Sequence, residues 1–430
     1  ASMLIYLSLE NPMTFVDAEM GIYNKKAFGV FIQNSLNHEK KVSLVGLQII
    51  GLKYLNETIG VTNKQMLLKN LSSLLQVACG RKNLYRLSGS RIAVIIPNDK
   101  EKQEKVIERI KIVFEDTIHI EGFYIPLSIK MCTLSLPEDT DNLEDTIGVI
   151  STTLKQLIDS ESGIVVQADK TILQKKSREL EIIEVLKNAL ANDEFFVVYQ
   201  PIFSVEKQKF TTAEALLRLK SKKLGIIGPD EFIPLAEQNG LILPIGEFVI
   251  KTVCEFISKE RIWEKGIEYI HVNLSAIQCM QENLHQQLIE IMDSYNLEYK
   301  YLNFEVTETV AIASSDILKN NMSKLIEKSI KFSLDDYGTG FSNIYSLIRY
   351  PFHTIKIDKS IIWASMKDER AMVILENIIE LAKSLNKEVV AEGVEDIDQV
   401  NILKKFGCDY NQGYYYSKPI MLEEFINIIK

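Results

Sequence analysis

The pattern that most restricts the fold is a short apolar run ending abruptly in polar, chemistry-bearing residues, repeated through the second half of the chain. Its clearest instance is Phe332-Ser333-Leu334, which runs into Asp335-Asp336 and then Tyr337-Gly338-Thr339-Gly340-Phe341-Ser342. Successive strand residues face opposite sides, so adjacent carboxylates share a face only where the strand is ending. Alone, this would read as an acidic surface turn. Other runs end the same way: Phe195 to Tyr199 leads into Gln200, Thr212-Ala213 into Glu214, Tyr269 to Val272 into Asn273, and Tyr301 to Phe304 into Glu305. Thr354-Ile355 leads into Lys356, Val389 to Ala391 into Glu392, and Cys408 to Asn411 into Gln412. Segments of helical period separate them, such as residues 372–385 with Val373, Leu375, Ile378, Ile379 and Leu381 on one face. Eight short strands alternating with helices over roughly 240 residues predict a closed (β/α)8, TIM-like barrel. Barrel enzymes work at the C-terminal strand ends, where these acids, amides and the lysine are expected.

At 430 residues the chain needs a further domain ahead of the barrel. A net charge of −9 argues against a polymeric nucleic acid as partner. A small phosphate ligand held through metal ions stays open. Cys79, Cys132, Cys254, Cys279 and Cys408 are scattered without metal spacing, which suits a reducing cytoplasm. His271, beside Asn273, reads as a packed or surface imidazole. No apolar run approaches the ~20 residues a membrane helix needs. Residues 1–14 are a lead segment in which Ala1-Ser2-Met3 looks like a tag remnant, so any membrane attachment would come from a segment ahead of this chain.

Residues 15–168 read as an α+β domain with a mostly antiparallel sheet. Strands are expected at 42–50, 84–87, 92–96, 126–136 and 164–167, with a hairpin turn at Ser88-Gly89-Ser90-Arg91 and helices near 64–77, 101–114 and 143–158. This region resembles the GGDEF diguanylate cyclase family through residues 17–28, through Gly51-Leu52-Lys53-Tyr54-Leu55-Asn56-Glu57 with Gly60, and through Arg86-Leu87 entering the hairpin. The resemblance puts Gln48 at a metal-binding aspartate and Ser90 and Arg91 at the acidic hairpin positions. An amide, a hydroxyl and a guanidinium cannot hold the cations that joining a hydroxyl to an α-phosphate requires. Triphosphate-holding positions align with Ile158 and Ser162, a guanine-contacting acid with Gln65, and the product site with Cys79 and Lys82. The domain is therefore expected to be a degenerate cyclase serving regulation or dimerisation. Asn56 alone matches the guanine contacts, leaving GTP as an optional ligand.

Residues 169–190 read as a connecting helix without a Pro/Gly linker. From 175 to 430 the chain resembles the EAL-type cyclic di-GMP phosphodiesterases. Glu214-Ala215-Leu216-Leu217-Arg218, residues 229–237, Val272-Asn273-Leu274-Ser275, Glu305-Val306-Thr307-Glu308, residues 335–340, Lys356-Ile357-Asp358, Glu392-Gly393-Val394-Glu395 and Gln412-Gly413-Tyr414 follow in family order. The resemblance implies two Mg2+ or Mn2+ ions. Glu214, Asn273, Glu305 and Asp335 would hold the first, with Asp335 bridging; Asp336 would hold the second, with Glu392 and Gln412 nearby. Lys356 would orient the attacking water, or act as a base if cations depressed its pKa. Gln200, Leu216, Arg218, Asn273 and Gln412 would contact substrate. Glu308 and Glu395 would shape the loop after Asp336, with Gly338, Thr339 and Gly340 giving it freedom. Tyr337 and Leu219 stand where Phe and Trp are usual, and Leu219 is expected to loosen packing near the nucleotide. The function implied is hydrolysis of cyclic di-GMP to linear 5'-pGpG by a homodimer. The rival is a receptor for cyclic di-GMP without turnover, though receptors of this family usually lack several of these acids. A bifunctional synthase and hydrolase conflicts with Gln48, Ser90 and Arg91.

Overall fold

The computed structural model describes residues 14–52, 55–115, 117–158, 160–313, 316–338 and 344–429. The chain divides into two compact units, residues 1–178 and 179–430, and the division falls inside the helix Thr171–Ala189.

The first unit is built on a six-stranded sheet. Strands β1 (Tyr23–Asn24), β2 (Val42–Ile50), β3 (Leu84–Ser88), β4 (Arg91–Pro97), β7 (Ser128–Leu136) and β8 (Val165–Gln167) lie in the order β1-β3-β4-β2-β7-β8. The central pairings are antiparallel and the two outer ones parallel. A separate hairpin joins β5 (Ile118–Ile120) to β6 (Phe123–Ile125). Alternation along β2 sends Val45, Leu47 and Ile49 into one core and Val42 and Leu44 into the other. Both sheet faces are therefore covered, by helices Leu55–Cys79 and Lys100–Val113 on one side and Lys25–Asn37 and Leu143–Gln156 on the other.

The second unit is an eight-stranded, TIM-like barrel. Its strands are β9 (Phe195–Ser204), β10 (Lys209–Ser221), β12 (Tyr269–Asn273), β13 (Leu302–Thr307), β14 (Lys331–Tyr337), β15 (Thr354–Ile357), β16 (Glu388–Ala391) and β17 (Tyr410–Asn411); β11 (Gly225–Ile227) extends β10 outward. The ring closes through β17 onto β9 and β9 onto β10. One detail departs from eight equal βα units: β9 runs antiparallel to both neighbours. Residues 205–208 make only a tight turn into β10, and so short a connection can join only antiparallel strands. Gln200 and Glu214 consequently lie in mid-strand and not at strand ends.

Alternation also decides what the barrel encloses. Ile270 and Val272, Leu302 and Phe304, Phe332 and Leu334, and Ile355 and Ile357 pack outward against the helices as one apolar core. Their neighbours His271, Asn303, Glu305, Ser333, Asp335, Thr354 and Lys356 turn inward and are buried. Within the barrel only Ile202, Val390 and Tyr410 form a small apolar cluster among the described residues. The helix Glu369–Ser384 buries Leu375, Ile379 and Ala382, whereas Val373 is 55% exposed. The stripe is therefore narrower than its apolar content suggests. Leu219 is fully buried in one apolar cluster with Phe195, Ile227 and Phe232.

Candidate active site at the barrel rim

Lys356 is the hub. Its ammonium is fully buried and lies 3.2 Å from Glu214 Oε2, 2.9 Å from Glu305 Oε2, 3.2 Å from Asp335 Oδ1 and 2.7 Å from Glu392 Oε1. Four acids from four strands or strand ends thus converge on one cation. Desolvation pulls the lysine's pKa down, but the surrounding carboxylates outweigh it and hold the pKa well above its ordinary value. With the carboxylates as its only charged neighbours among the described residues, Lys356 is held in its charged form, because deprotonating it would leave the acids uncompensated.

The amide side chains bind the acids into a network. Asn273 Nδ2 donates to Glu214 Oε1 at 2.8 Å, and Gln412 Nε2 donates to Glu214 Oε2 at 2.7 Å and to Gln200 Oε1 at 3.2 Å. Gln200 Nε2 reaches back to the Ser417 carbonyl at 3.2 Å. Burial opposes ionisation of Glu214, yet Lys356 and the two amides depress its pKa below the usual carboxylate range. Burial dominates at Glu305, Asp335 and Glu392, whose pKa values are raised despite Lys356.

Adjacent Asp335 and Asp336 reach the same place because the backbone bends between them. Asp336 has φ +55°, and the β14–β15 register shifts between Leu334 and Tyr337. This bulge lets Asp335, Asp336 and Glu392 each offer an oxygen within 4.8 Å of the others. Burial first, and then Asp335 and Asp358, push Asp336 up to about 6. Gly338 follows at φ +100°, where a Cβ would lie 2.0 Å from Ile361 Cδ1, so only glycine fits. The Gly338 amide donates to Glu308 Oε2 at 3.3 Å, the contact expected of a residue shaping this loop. Thr339 and Gly340 lie outside the described residues. Glu395 is exposed and its backbone amide donates to Gln399; residues 339–343 of the loop it is expected to shape lie outside the described residues. Its place just before the helix Ile397–Phe406 turns the side chain to solvent.

Beside the network, Leu216, Arg218, Asn273, Ser275 and Thr307 line part of a cavity of about 500 Å3. Arg218 is half-buried, with Nη1 donating to the Leu217 carbonyl at 2.9 Å. Two participants escaped the sequence reading. His271, fully buried, places Nδ1 2.8 Å from Glu305 Oε1. Burial and then Lys356 lower its pKa to about 3, so it is a neutral imidazole. Asp358 caps the helix Lys359–Ser365 and adds negative charge beside Asp336. His271 lies two residues before Asn273 on the same face of β12, whereas Asp358 follows the end of β15 as a helix cap.

The donor set fits hard cations. It is all oxygen, from carboxylates and amides, and Glu305 Oε1 and Gln412 Oε1 are buried without a hydrogen-bond partner among the described residues.

In the first unit, Gln48 and Arg91 pair across β2 and β4. Arg91 Nε donates to Gln48 Oε1 at 2.9 Å, and Gln48 Nε2 donates to Ser90 Oγ at 2.5 Å. The three positions thus form one closed hydrogen-bonded set without a carboxylate.

The second unit is thus an eight-stranded α/β barrel with a buried acidic network gathered on one side of it. Residues 183–419 match the family described as EAL domain, and residues 14–162 that described as diguanylate cyclase, GGDEF domain. The chain belongs to the EAL-domain family, with a GGDEF domain ahead of its EAL domain. It is 32% identical over 416 residues to the signaling protein YkoW of Bacillus subtilis, covering 92% of this chain and 50% of that one. It is 27% identical over 423 residues to the cyclic di-GMP phosphodiesterase NbdA of Pseudomonas aeruginosa, covering 96% and 54%. The chain thus spans about half the length of these curated relatives. The solved structure of the PaMucR phosphodiesterase in complex with c-di-GMP is 33% identical, covers 57% of this chain and 99% of that chain, and has a TM-score of 0.54. Among the described residues no helix is long and apolar enough to cross a membrane.

Proposed function

We propose that the barrel hydrolyses cyclic di-GMP to linear 5'-pGpG with two Mg2+ or Mn2+ ions, and that the GGDEF domain is an inactive regulatory or dimerisation module. The observation that carries the reading is the convergence of Asp335, Asp336 and Glu392 within 4.8 Å, in a rim whose remaining acids are ordered around Lys356. Glu214, Asn273, Glu305 and Asp335 would hold one ion, and Asp336, with Glu392 and Gln412, the other. Such a pair, when bound, would supply an ionised water and offset charge on the transferring phosphate. The water oxygen bonds to phosphorus, the P–O3' bond breaks, and the 3' oxygen takes a proton. The phosphate stays on the 5' carbon.

The chain's own groups perform the remaining tasks. Lys356 orients the attacking water and stabilises negative charge at the phosphate. Arg218 offers a charge-assisted bond to a phosphate oxygen at the mouth of the cavity. Gln200 and Gln412 hold Glu214 in place from the far side. Glu308, through the Gly338 amide, fixes the backbone after Asp336. In the first unit, Arg91 stands where a cation would have to sit, which supports loss of cyclase chemistry. Asn56 leaves GTP as a candidate regulator there.

The second reading is a receptor without turnover. The intact set of acids favours the enzyme. Incubation with cyclic di-GMP and Mn2+ or Mg2+, with and without GTP, followed by chromatography, decides: cation-dependent pGpG supports the proposal, and tight binding with intact ligand under both ions overturns it.

A further inference from the structure

Glu305 lies between two cationic or polar neighbours inside the barrel. Its Oε2 lies 2.9 Å from the Lys356 ammonium, and its Oε1 lies 2.8 Å from His271 Nδ1. Neither Oε1 nor either His271 ring nitrogen meets any other polar group in hydrogen-bonding geometry among the described residues. The 2.8 Å approach is short but off the line of a hydrogen bond, while Lys356 draws Oε2 the other way. Both side chains are buried to 1% exposure or less, so water is not the partner that either one faces at the surface. Buried polar atoms left facing only each other ask for an explanation.

The strand geometry supplies one. His271 sits on β12 between Glu214 of β10 and Asn303 of β13 in register, on the same inward face as Asn273. Tyr269, two residues earlier, packs its ring 5.1 Å from the imidazole and so restrains its tilt. A terminal carboxylate torsion is soft, so a modest rotation of Glu305 brings Oε1 into line with Nδ1.

Resting on the reading of the rim as a cation site, we infer that His271 is a positioning residue: its Nδ1–H holds Glu305 Oε1, so that Oε2 is the oxygen presented to a divalent cation. A ligand carboxylate held by an imidazole is oriented in advance and made a better donor, and loss of such a partner costs roughly 10–100-fold in cation affinity. A simple packing histidine would instead affect stability and leave cation binding alone.

The test compares His271→Leu, His271→Asn and His271→Gln with the unaltered full chain. Asn puts an amide nitrogen near the Nδ1 position, whereas Gln places it nearer Nε2. The readouts are the Mn2+ dissociation constant by calorimetry, the Mn2+ concentration for half-maximal turnover, and the melting temperature with chelator. His271→Leu should weaken Mn2+ binding by roughly 10–100-fold, and His271→Asn should restore most of it while His271→Gln does not. Turnover at saturating Mn2+ should be largely recovered in all three. If the leucine variant does not fold, the contrast between asparagine and glutamine carries the test. Equal Mn2+ affinity in those two variants, or wild-type affinity in a folded leucine variant, overturns the inference. An unaltered chain that binds no Mn2+ removes the reading of the rim itself.

Discussion

Replacing Lys356 with Met keeps the unbranched side chain up to Cε and removes the charged group that holds four acids together. Their oxygens lie 2.7 to 3.2 Å from the ammonium. Breaking a buried ion pair by deleting one partner costs about 3–5 kcal/mol, because the other charge is left unpaired. Here several charges lose one partner, and the cluster relieves itself by taking up protons. A loss of ~4 kcal/mol corresponds to a drop of about 8–16 °C in melting temperature for a unit of this size. The pH dependence has a definite sign. Glu305, Asp335 and Glu392 already have raised folded pKa values, and losing Lys356 raises them further. Groups with raised folded values keep the variant stable at low pH and cost stability as pH rises through those values. The deficit should therefore be small at pH 5 and large at pH 8. Divalent cations should offset it by filling the same charge hole, while turnover stays lost. Melting curves of both proteins at the two pH values, with chelator and with Mn2+, provide the assay. Equal stability of variant and parent at pH 8 in chelator, or a deficit indifferent to both pH and Mn2+, would refute the role of Lys356 as the cation balancing the cluster.

Glu214→Ala should abolish turnover and leave the fold intact, checked by product chromatography and circular dichroism, since its partners Asn273 and Gln412 are at a rim and not in the apolar core. Gly338→Ala should lower turnover by at least about tenfold, because the new methyl meets Ile361 and the φ of +100° is lost; an unchanged rate would deny that the bend places Asp336. With Glu392 raised to about 8 and Asp336 to about 6, Mn2+ affinity should fall as pH drops below about 8 and more steeply below about 6, measured by calorimetry. Ser90→Asp with Arg91→Glu should not create diguanylate cyclase activity from GTP, since Gln48 still occupies the third position; detectable synthesis would show that the hairpin is misaligned.

Much of this architecture is legible in the residues, for a physical reason. Strand alternation writes Leu302, Phe304 and Val306 as the outer wall and Glu305 as part of the inner one, so the pattern of Leu-Asn-Phe-Glu already tells which side chain faces the site. The hairpin of β3 and β4 is equally readable from Ser88-Gly89-Ser90-Arg91 between two apolar runs. Direction is not: a strand has the same alternation whichever way it runs, so the reversal of β9 is visible only in the shortness of residues 205–208. Convergence is hidden for a related reason. The four acids around Lys356 come from distant strands, and no local pattern records that they share one ammonium. His271 illustrates the limit well, since its neighbour in space, Glu305, is a strand away in register but remote in the chain. Val373 shows the opposite error, an apolar residue on a helical stripe that nonetheless meets solvent.

The most direct measurement is hydrolysis of cyclic di-GMP in 18O-labelled water with Mn2+, with a chelated control, and mass analysis of the product. The account predicts one 18O atom, carried on the 5'-phosphate of pGpG, and no product in the control. Cyclic di-GMP recovered intact, product formed equally without cations, or label found on the 3'-hydroxyl would each contradict water attack on phosphorus at a cation-binding rim.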